Sequence, residues 1–361
     1  NFKNLKQKHF SKFFKGTKTL LKQKKNSLPP PGEKIHLQGF IGSSKTIWIT
    51  NIFEKLQKTI VVLLNDREEA AYFYDDLNNR EIKEYSLFFT SSCKRSVQYG
   101  QTEQENIVQR AEVLSKTRGK EQSYVIITYP EAVVETVISQ PELEQNTLQV
   151  SKGDKISIEF INEFLFEYGF ERVDFVYEPG QFSVRGSIVD VFSFSHEDPY
   201  RLDFFGDEID TIRSFNIDNQ ISKESFDKIT IIPNIQHENA GSSRVSLFEF
   251  LTDATCCFAN NLNQFFDQVT EIHRQTILNR PDEFLVEEII TGEVLKKQLQ
   301  KFTVCDFGND LAYDTDNVFG ISTSKQPVFN KNFELLGKNL VEHRENGYEV
   351  FILSNQEKQI H

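Results

Sequence analysis

Residues 172–192 read RVDFVYEPGQFSVRGSIVDVF, and residues 199–210 continue as PYRLDFFGDEID. Aromatic and β-branched residues dominate both stretches, and turn signals divide them at Glu178-Pro-Gly180, at Ser195–Pro199 and at Gly206-Asp207. The reading is three β segments, Arg172–Tyr177, Phe182–Phe194 and Tyr200–Phe205, with a fourth over Ile209–Phe215. Within the second segment Ile188, Asp190, Phe192 and Phe194 share one face, and Val189, Val191 and Ser193 share the other. Gly186 is expected to mark a bulge. Just upstream, Ile156–Tyr168 is amphipathic at helical spacing, with Phe160, Ile161, Phe164, Leu165 and Tyr168 on one face and Gly169 as the cap. One helix and an antiparallel meander make a small α+β module.

On either side of this module the texture is different. Thr59–Leu64 (TIVVLL) and Tyr124–Thr128 (YVIIT) are short, wholly apolar runs of the kind buried in parallel sheets. Ile35–Leu37 and Ser86–Phe89 read as further strands. Helices are expected through Ile47–Leu56, over Arg67–Leu77 with Asp66 as cap, over Glu103–Lys116, and from Pro130. After Pro233 the pattern returns, with a strand at Ala254–Phe258, a helix at Phe265–Ile277 and a strand at Tyr348–Leu353. The meander therefore either interrupts one α/β unit or separates two.

The 361 residues allow two or three domains. With 38% hydrophobic and 26% charged residues, the composition is that of a soluble globular chain. No apolar run approaches the length of a membrane span, and no signal peptide is evident. Cys93, Cys256, Cys257 and Cys305 form no CxxC pair, so a reducing, cytoplasmic setting is expected. The chain holds no methionine, unusual at this length, and stops at Gln359–His361 inside what reads as a helix, as expected of part of a longer protein.

Net charge is −12, and residues 151–235 carry 17 acids against 8 bases. That balance argues against a general nucleic-acid coat. Residues 1–25 are the exception, with nine lysines and no acid. Phe2, Leu5, Phe10, Phe13, Phe14, Leu20 and Leu21 give this stretch an apolar stripe, interrupted at Gly16. It reads as a basic helical segment over residues 1–28, laid on its own domain or meeting an acidic partner, DNA or a membrane surface. A stiff linker follows at Leu28–Gly32.

Residues 39–46, GFIGSSKT, nearly match a phosphate loop, with Gly39, Lys45 and Thr46 in place. Ser44 replaces the second required glycine. The acids expected at the end of a later buried strand are replaced by Asn260 and Asn261. The loop is thus read as vestigial, with no catalytic residue assigned. Metal spacing is absent among the seven histidines, and no GxSxG occurs. The carboxylate pairs Glu68-Glu69 and Asp75-Asp76 read as solvated helix faces.

The two quoted stretches, with DREEAA at 66–71, RSVQYG at 95–100 and TYPEA at 128–132, closely resemble the N-terminal, UvrB-like region of the bacterial transcription-repair-coupling factor (Mfd) family. The resemblance implies an α/β fold with degenerate RecA-like domains 1A (29–148) and 1B (236–361) flanking an inserted domain 2 (149–235). It implies recruitment of UvrA through domain 2 in nucleotide excision repair, without ATP hydrolysis by this region. ATP, Mg²⁺, DNA and RNA polymerase would belong to motor and polymerase-binding domains elsewhere. The alternative is a divergent UvrB-type repair ATPase. Matched onto the family motif, Arg185 is the expected UvrA contact, with Arg172 beside it and Phe192 as an aromatic anchor. A second family arginine corresponds to Ser183 here.

Overall fold

The computed structural model describes residues 34–92, 103–118, 122–234, 243–279, 289–308, 317–320, 323, 327–330, 332–348 and 350. The basic segment 1–28, the RSVQYG motif and most of the expected strand Tyr348–Leu353 lie outside them. Two compact units divide at residue 322.

The first unit opens with β1 (Lys34–Gln38), α1 (Ser44–Leu56), β2 (Ile60–Leu63) and α2 (Arg67–Asn78). Next come β3 (Ser86–Phe88), α3 (Glu103–Arg118), β4 (Val125–Thr128), α4 (Pro130–Val134), β5 (Val137–Ile138) and α5 (Gln140–Gln145). The Asp66 carboxylate accepts from the Glu69 N–H at 2.8 Å and so starts α2 as expected. β2 and β4 are buried along their whole length, because helices cover both faces of a parallel sheet.

The insertion leaves through β6 (Leu148–Ser151) and contains α6 (Ile158–Glu167), β7 (Glu171–Arg172), β8 (Gln181–Arg185), β9 (Ile188–Val191), β10 (Tyr200–Phe205), β11 (Glu208–Phe215) and β12 (Ser222–Ser225). It returns through β13 (Lys228–Ile231), which pairs antiparallel with β6 to form a two-stranded stem. Strands β7–β12 form one six-stranded sheet in consecutive order, antiparallel except for β7 against β8. Ile161 and Leu165 of α6 are fully buried, and the Phe166 ring meets Phe182 edge-on at 5.2 Å. Phe160, expected on the buried face of α6, is half exposed. The helix ends in a Schellman cap: Gly169, at φ +76°, donates to Phe166 O, and Phe170 donates to Leu165 O.

Two glycines shape this sheet. Gly186 is not a bulge. At φ +62° it opens a two-residue hairpin turn in which Arg185 pairs with Ile188, so the expected segment Phe182–Phe194 is two strands. Gly180 sits at φ +87°, and a Cβ there would lie 2.7 Å from Phe194 Cζ. No other residue fits so close to that ring.

Beyond the insertion, β14 (Arg244–Val245), α7 (Leu247–Phe250), β15 (Cys256–Ala259), α8 (Leu262–Asn279), α9 (Gly292–Leu299), β16 (Thr303–Asp306) and β17 (Asn317–Gly320) follow. All seven strands of the large sheet are parallel, in the order β17-β1-β16-β15-β2-β4-β3. Strands from both sides of the insertion therefore share one sheet. Of the two arrangements open from sequence, the meander interrupts a single α/β unit. A boundary at 235/236 does not separate two sheets: residues up to Gly320 complete the first one. The physical reason is pairing. β15 needs β2 on one side and β16 on the other to satisfy its backbone groups. In the second unit the described helix is α10 (Phe333–Glu345), capped by Asn332 accepting from Leu335 N at 3.0 Å.

Candidate functional site

One end of the inserted sheet carries a groove of about 580 Å³ lined by Arg172, Val173, Asp174, Phe175, Ser183, Val184 and Arg185. Parallel pairing of β7 with β8 sets Arg172 opposite Phe182 and brings the two expected arginines to one groove. Arg172 is exposed, and the Arg185 side chain is 35% exposed. The Arg185 guanidinium lies 4.9 Å from the centre of the Phe175 ring, a cation–π contact on an exposed aromatic. Tyr177, also exposed, follows on the same segment.

Ser183, the position of a family arginine, is buried, and its hydroxyl donates to Asp174 O at 2.9 Å. It pins the groove wall and is not presented to a partner. Phe192 requires a correction. Its ring is only 5% exposed, so it is not a surface anchor. Its N–H donates to Gln181 O and its carbonyl accepts from Gly180, which hold it inside the module. The exposed aromatic beside Arg185 is Phe175.

Behind the groove is a charge cluster that residue spacing alone did not reveal. Asp190 is 1% exposed. It accepts from Arg201 Nε and Nη2 at 2.7 and 2.8 Å, and from Arg185 Nη2. Arg201 also donates to Gln220 Oε1 at 3.1 Å and lies over the Phe215 ring at 4.4 Å. The signal that could have found it is register: Ser183 and Arg201 both pair with Asp190, placing arginine and carboxylate on one face.

The phosphate-loop residues form a second cluster at the end of the parallel sheet. Gly39 (φ +95°) and Gly42 (φ +54°) let the chain turn from β1 into α1. Ser44 Oγ accepts from Ile41 N at 2.8 Å, so the extra hydroxyl takes a loop N–H that a phosphate would need. Lys45 Nζ donates to Asn260 Oδ1 at 3.1 Å, lies 3.8 Å from Glu69 Oε1 and sits 5.0 Å from the Phe307 ring centre. Desolvation lowers the Lys45 pKa, partly offset by Glu69 and Asp306. Thr46 Oγ1 donates to Asp76 Oδ2 at 3.3 Å. Glu69 is more than a solvated face, because it also accepts from Asn260 Nδ2 at 2.6 Å and from Asn65 N at 3.2 Å. Asp306, the buried acid ending β16, is engaged by the N–H groups of Asn261, Leu262 and Gly308. The loop donor and the lysine are engaged internally, and amides stand where a metal-holding acid is needed. Among the described residues no cluster of His, Cys, Asp and Glu could hold a metal ion.

Residues 148–237 match the family model described as the UvrB interaction domain. The inserted module is thus similar to UvrB interaction domains. Its matched limits fall on the stem strands β6 and β13 and just beyond. The chain is 28% identical over 198 residues to the transcription-repair-coupling factor of Bacillus subtilis, covering 55% of this chain and 17% of that protein. It is 38% identical over 91 residues to the same factor of Haemophilus influenzae, covering 25% of this chain and 8% of that protein. It is 27% identical over 215 residues to UvrABC system protein B of Methanococcus maripaludis, covering 56% and 33% respectively. The matches thus span a sixth or less of the coupling factors and a third of the UvrB protein. The resemblance to the UvrB-like region of coupling factors holds. No helix among the described residues is long and apolar enough to cross a membrane.

Proposed function

We propose that this chain is the UvrB-like recruitment module of a transcription-repair-coupling factor, binding UvrA through the groove of its UvrB interaction domain and hydrolysing no ATP itself. The observation that carries this reading is the groove where Arg172 and Arg185 meet beside the exposed Phe175. Arginine and aromatic residues in one partly exposed cleft are the side chains that dominate interface energies. The whole domain is acidic, so the basic groove stands out locally and favours a carboxylate-bearing partner surface.

The parallel sheet is read as a RecA-like scaffold. In support, the phosphate-loop strand β1 is separated by β16 from β15, the strand that leads to Asn260 and Asn261. A divergent repair ATPase would need an acid at one of those positions and a free loop N–H. ATP, Mg²⁺, DNA and RNA polymerase are assigned to other domains of a longer protein.

The test is UvrA binding by this chain, wild type against Arg185→Ala, at two salt concentrations. Truncating one partner of a desolvated charge-assisted contact is expected to cost roughly 2–5 kcal/mol. Equal binding by the two proteins would displace the interface from this groove. ATP turnover above background by the wild type would revive the enzyme reading.

A further inference from the structure

Asp190 is buried at 1% exposure on β9, between arginines from the two strands that flank it. Arg201, on β10, takes both carboxylate oxygens in a forked contact and is itself fixed by Gln220 and by the Phe215 ring. Arg185, at the end of β8, takes one of those oxygens and reaches the groove over Phe175. One carboxylate thus serves two guanidinium groups and leaves a net positive charge on the cluster. A guanidinium has five N–H donors, so bonding to Asp190 leaves Arg185 capacity for a second carboxylate.

We propose that Asp190 is a positioning residue: it aims Arg185 across the groove, preorganised for a carboxylate on the partner surface. The inference rests on the reading that Arg185 contacts UvrA. An unanchored arginine would lose its rotamer freedom on binding, whereas one already held has less to lose. Arg201 makes this arrangement tolerable, because a buried carboxylate needs full compensation and the partly exposed Arg185 alone supplies little.

The experiment is a double-mutant cycle on the 361-residue chain, with UvrA as titrant. The proteins are wild type, Asp190→Asn, Arg185→Ala and the double variant, with the thermal midpoint of each measured alongside. Asp203→Asn is the control, since Asp203 pairs with Arg213 on the same sheet but does not touch Arg185. Asp190→Asn should weaken binding about tenfold in the wild-type background and less than about twofold in the Arg185→Ala background. Asp203→Asn should leave affinity within about twofold of wild type. If Asp190→Asn does not fold, Asp190→Glu keeps the charge and shifts the carboxylate by one methylene, and the same cycle applies. Equal losses in both backgrounds overturn the positioning role while leaving Arg185 as the contact. No loss with Arg185→Ala, or no binding by wild type, overturns the recruitment site and this inference with it.

Discussion

Lys45 Nζ donates to the side-chain oxygen of Asn260 at 3.1 Å, across 215 residues of sequence. The lysine that would reach a phosphate in a working loop is tied to an amide standing where an acid would be. The same amide donates to Glu69 at 2.6 Å, which closes a three-residue cluster. Asn260→Asp would therefore place a second carboxylate against Glu69 and lose that hydrogen bond. It is expected to lower stability by about 1–2 kcal/mol near neutral pH, measured by urea unfolding. Adding Glu69→Gln should recover most of the loss, since the amide can donate to the new acid. Recovery of ATP turnover by Asn260→Asp alone would contradict the cluster described.

Phe192 and Phe175 should separate stability from binding. Phe192 is buried, so Phe192→Ala is expected to cost about 3–5 kcal/mol of stability. Phe175 is 48% exposed and lies against Arg185. Phe175→Ala should change unfolding free energy by less than about 1 kcal/mol and weaken UvrA binding several-fold. Parallel denaturation and binding measurements check both, and the reverse pattern would refute the placement of the two rings.

Gly180→Ala combines a left-handed φ of +87° with a Cβ 2.7 Å from Phe194. The expected loss is about 2–4 kcal/mol, from backbone strain plus overpacking. Phe194→Leu in the same chain should relieve the steric part but not the backbone part. Thermal unfolding of the single and double variants reads the difference.

Arg110 is fully buried and forms an ion pair with Glu135 at 3.2 Å. It also donates to the carbonyls of Thr90, Ala132 and Thr136. Glu135 in turn accepts from Ser91 and Ser92. Arg110→Ala strands a buried carboxylate and three carbonyls, and should cost about 3–5 kcal/mol by denaturant titration. A loss below 1 kcal/mol would mean that the site repacks around water.

Burial pushes the Cys256 thiol up to about 11 and holds the Cys257 thiol well above its ordinary value. At pH 8 only about a thousandth of Cys256 is thiolate in the folded chain, so alkylation by iodoacetamide should be slow until unfolding. Because the folded pKa lies above the unfolded one, this contribution to stability is full below about pH 9. It is lost as the pH rises toward about 11. Peptide mass spectrometry across pH 7–10 follows the labelling, and rapid labelling of native protein at pH 8 would disprove the burial of these thiols.

Features set by short-range physics were legible along the chain. The wholly apolar runs at β2 and β4, the Asp66 cap, proline at the start of α4 and the Gly169 stop each depend on neighbours a few residues away. The Glu178–Gly180 and Gly206–Asp207 turns and the α+β character of the insertion were legible for the same reason, whereas the expectation that Arg172 and Arg185 share a surface came from the family resemblance, and the pairing of β7 with β8 is what brings them to one groove. Features that depend on which strands pair emerge only in the fold. That β15, β16 and β17 join the first sheet was not legible along the chain, because parallel pairing is non-local and leaves little mark in any one strand. The burial of Phe192, its face already known from alternation, depended on what the fold lays over that face. Glu69 and Asn260, 191 residues apart, had no local reason to meet. The shared carboxylate of Asp190 likewise emerged only when three strands came into register. A buried charge takes its partners from the folded neighbourhood, and chain order does not specify that neighbourhood.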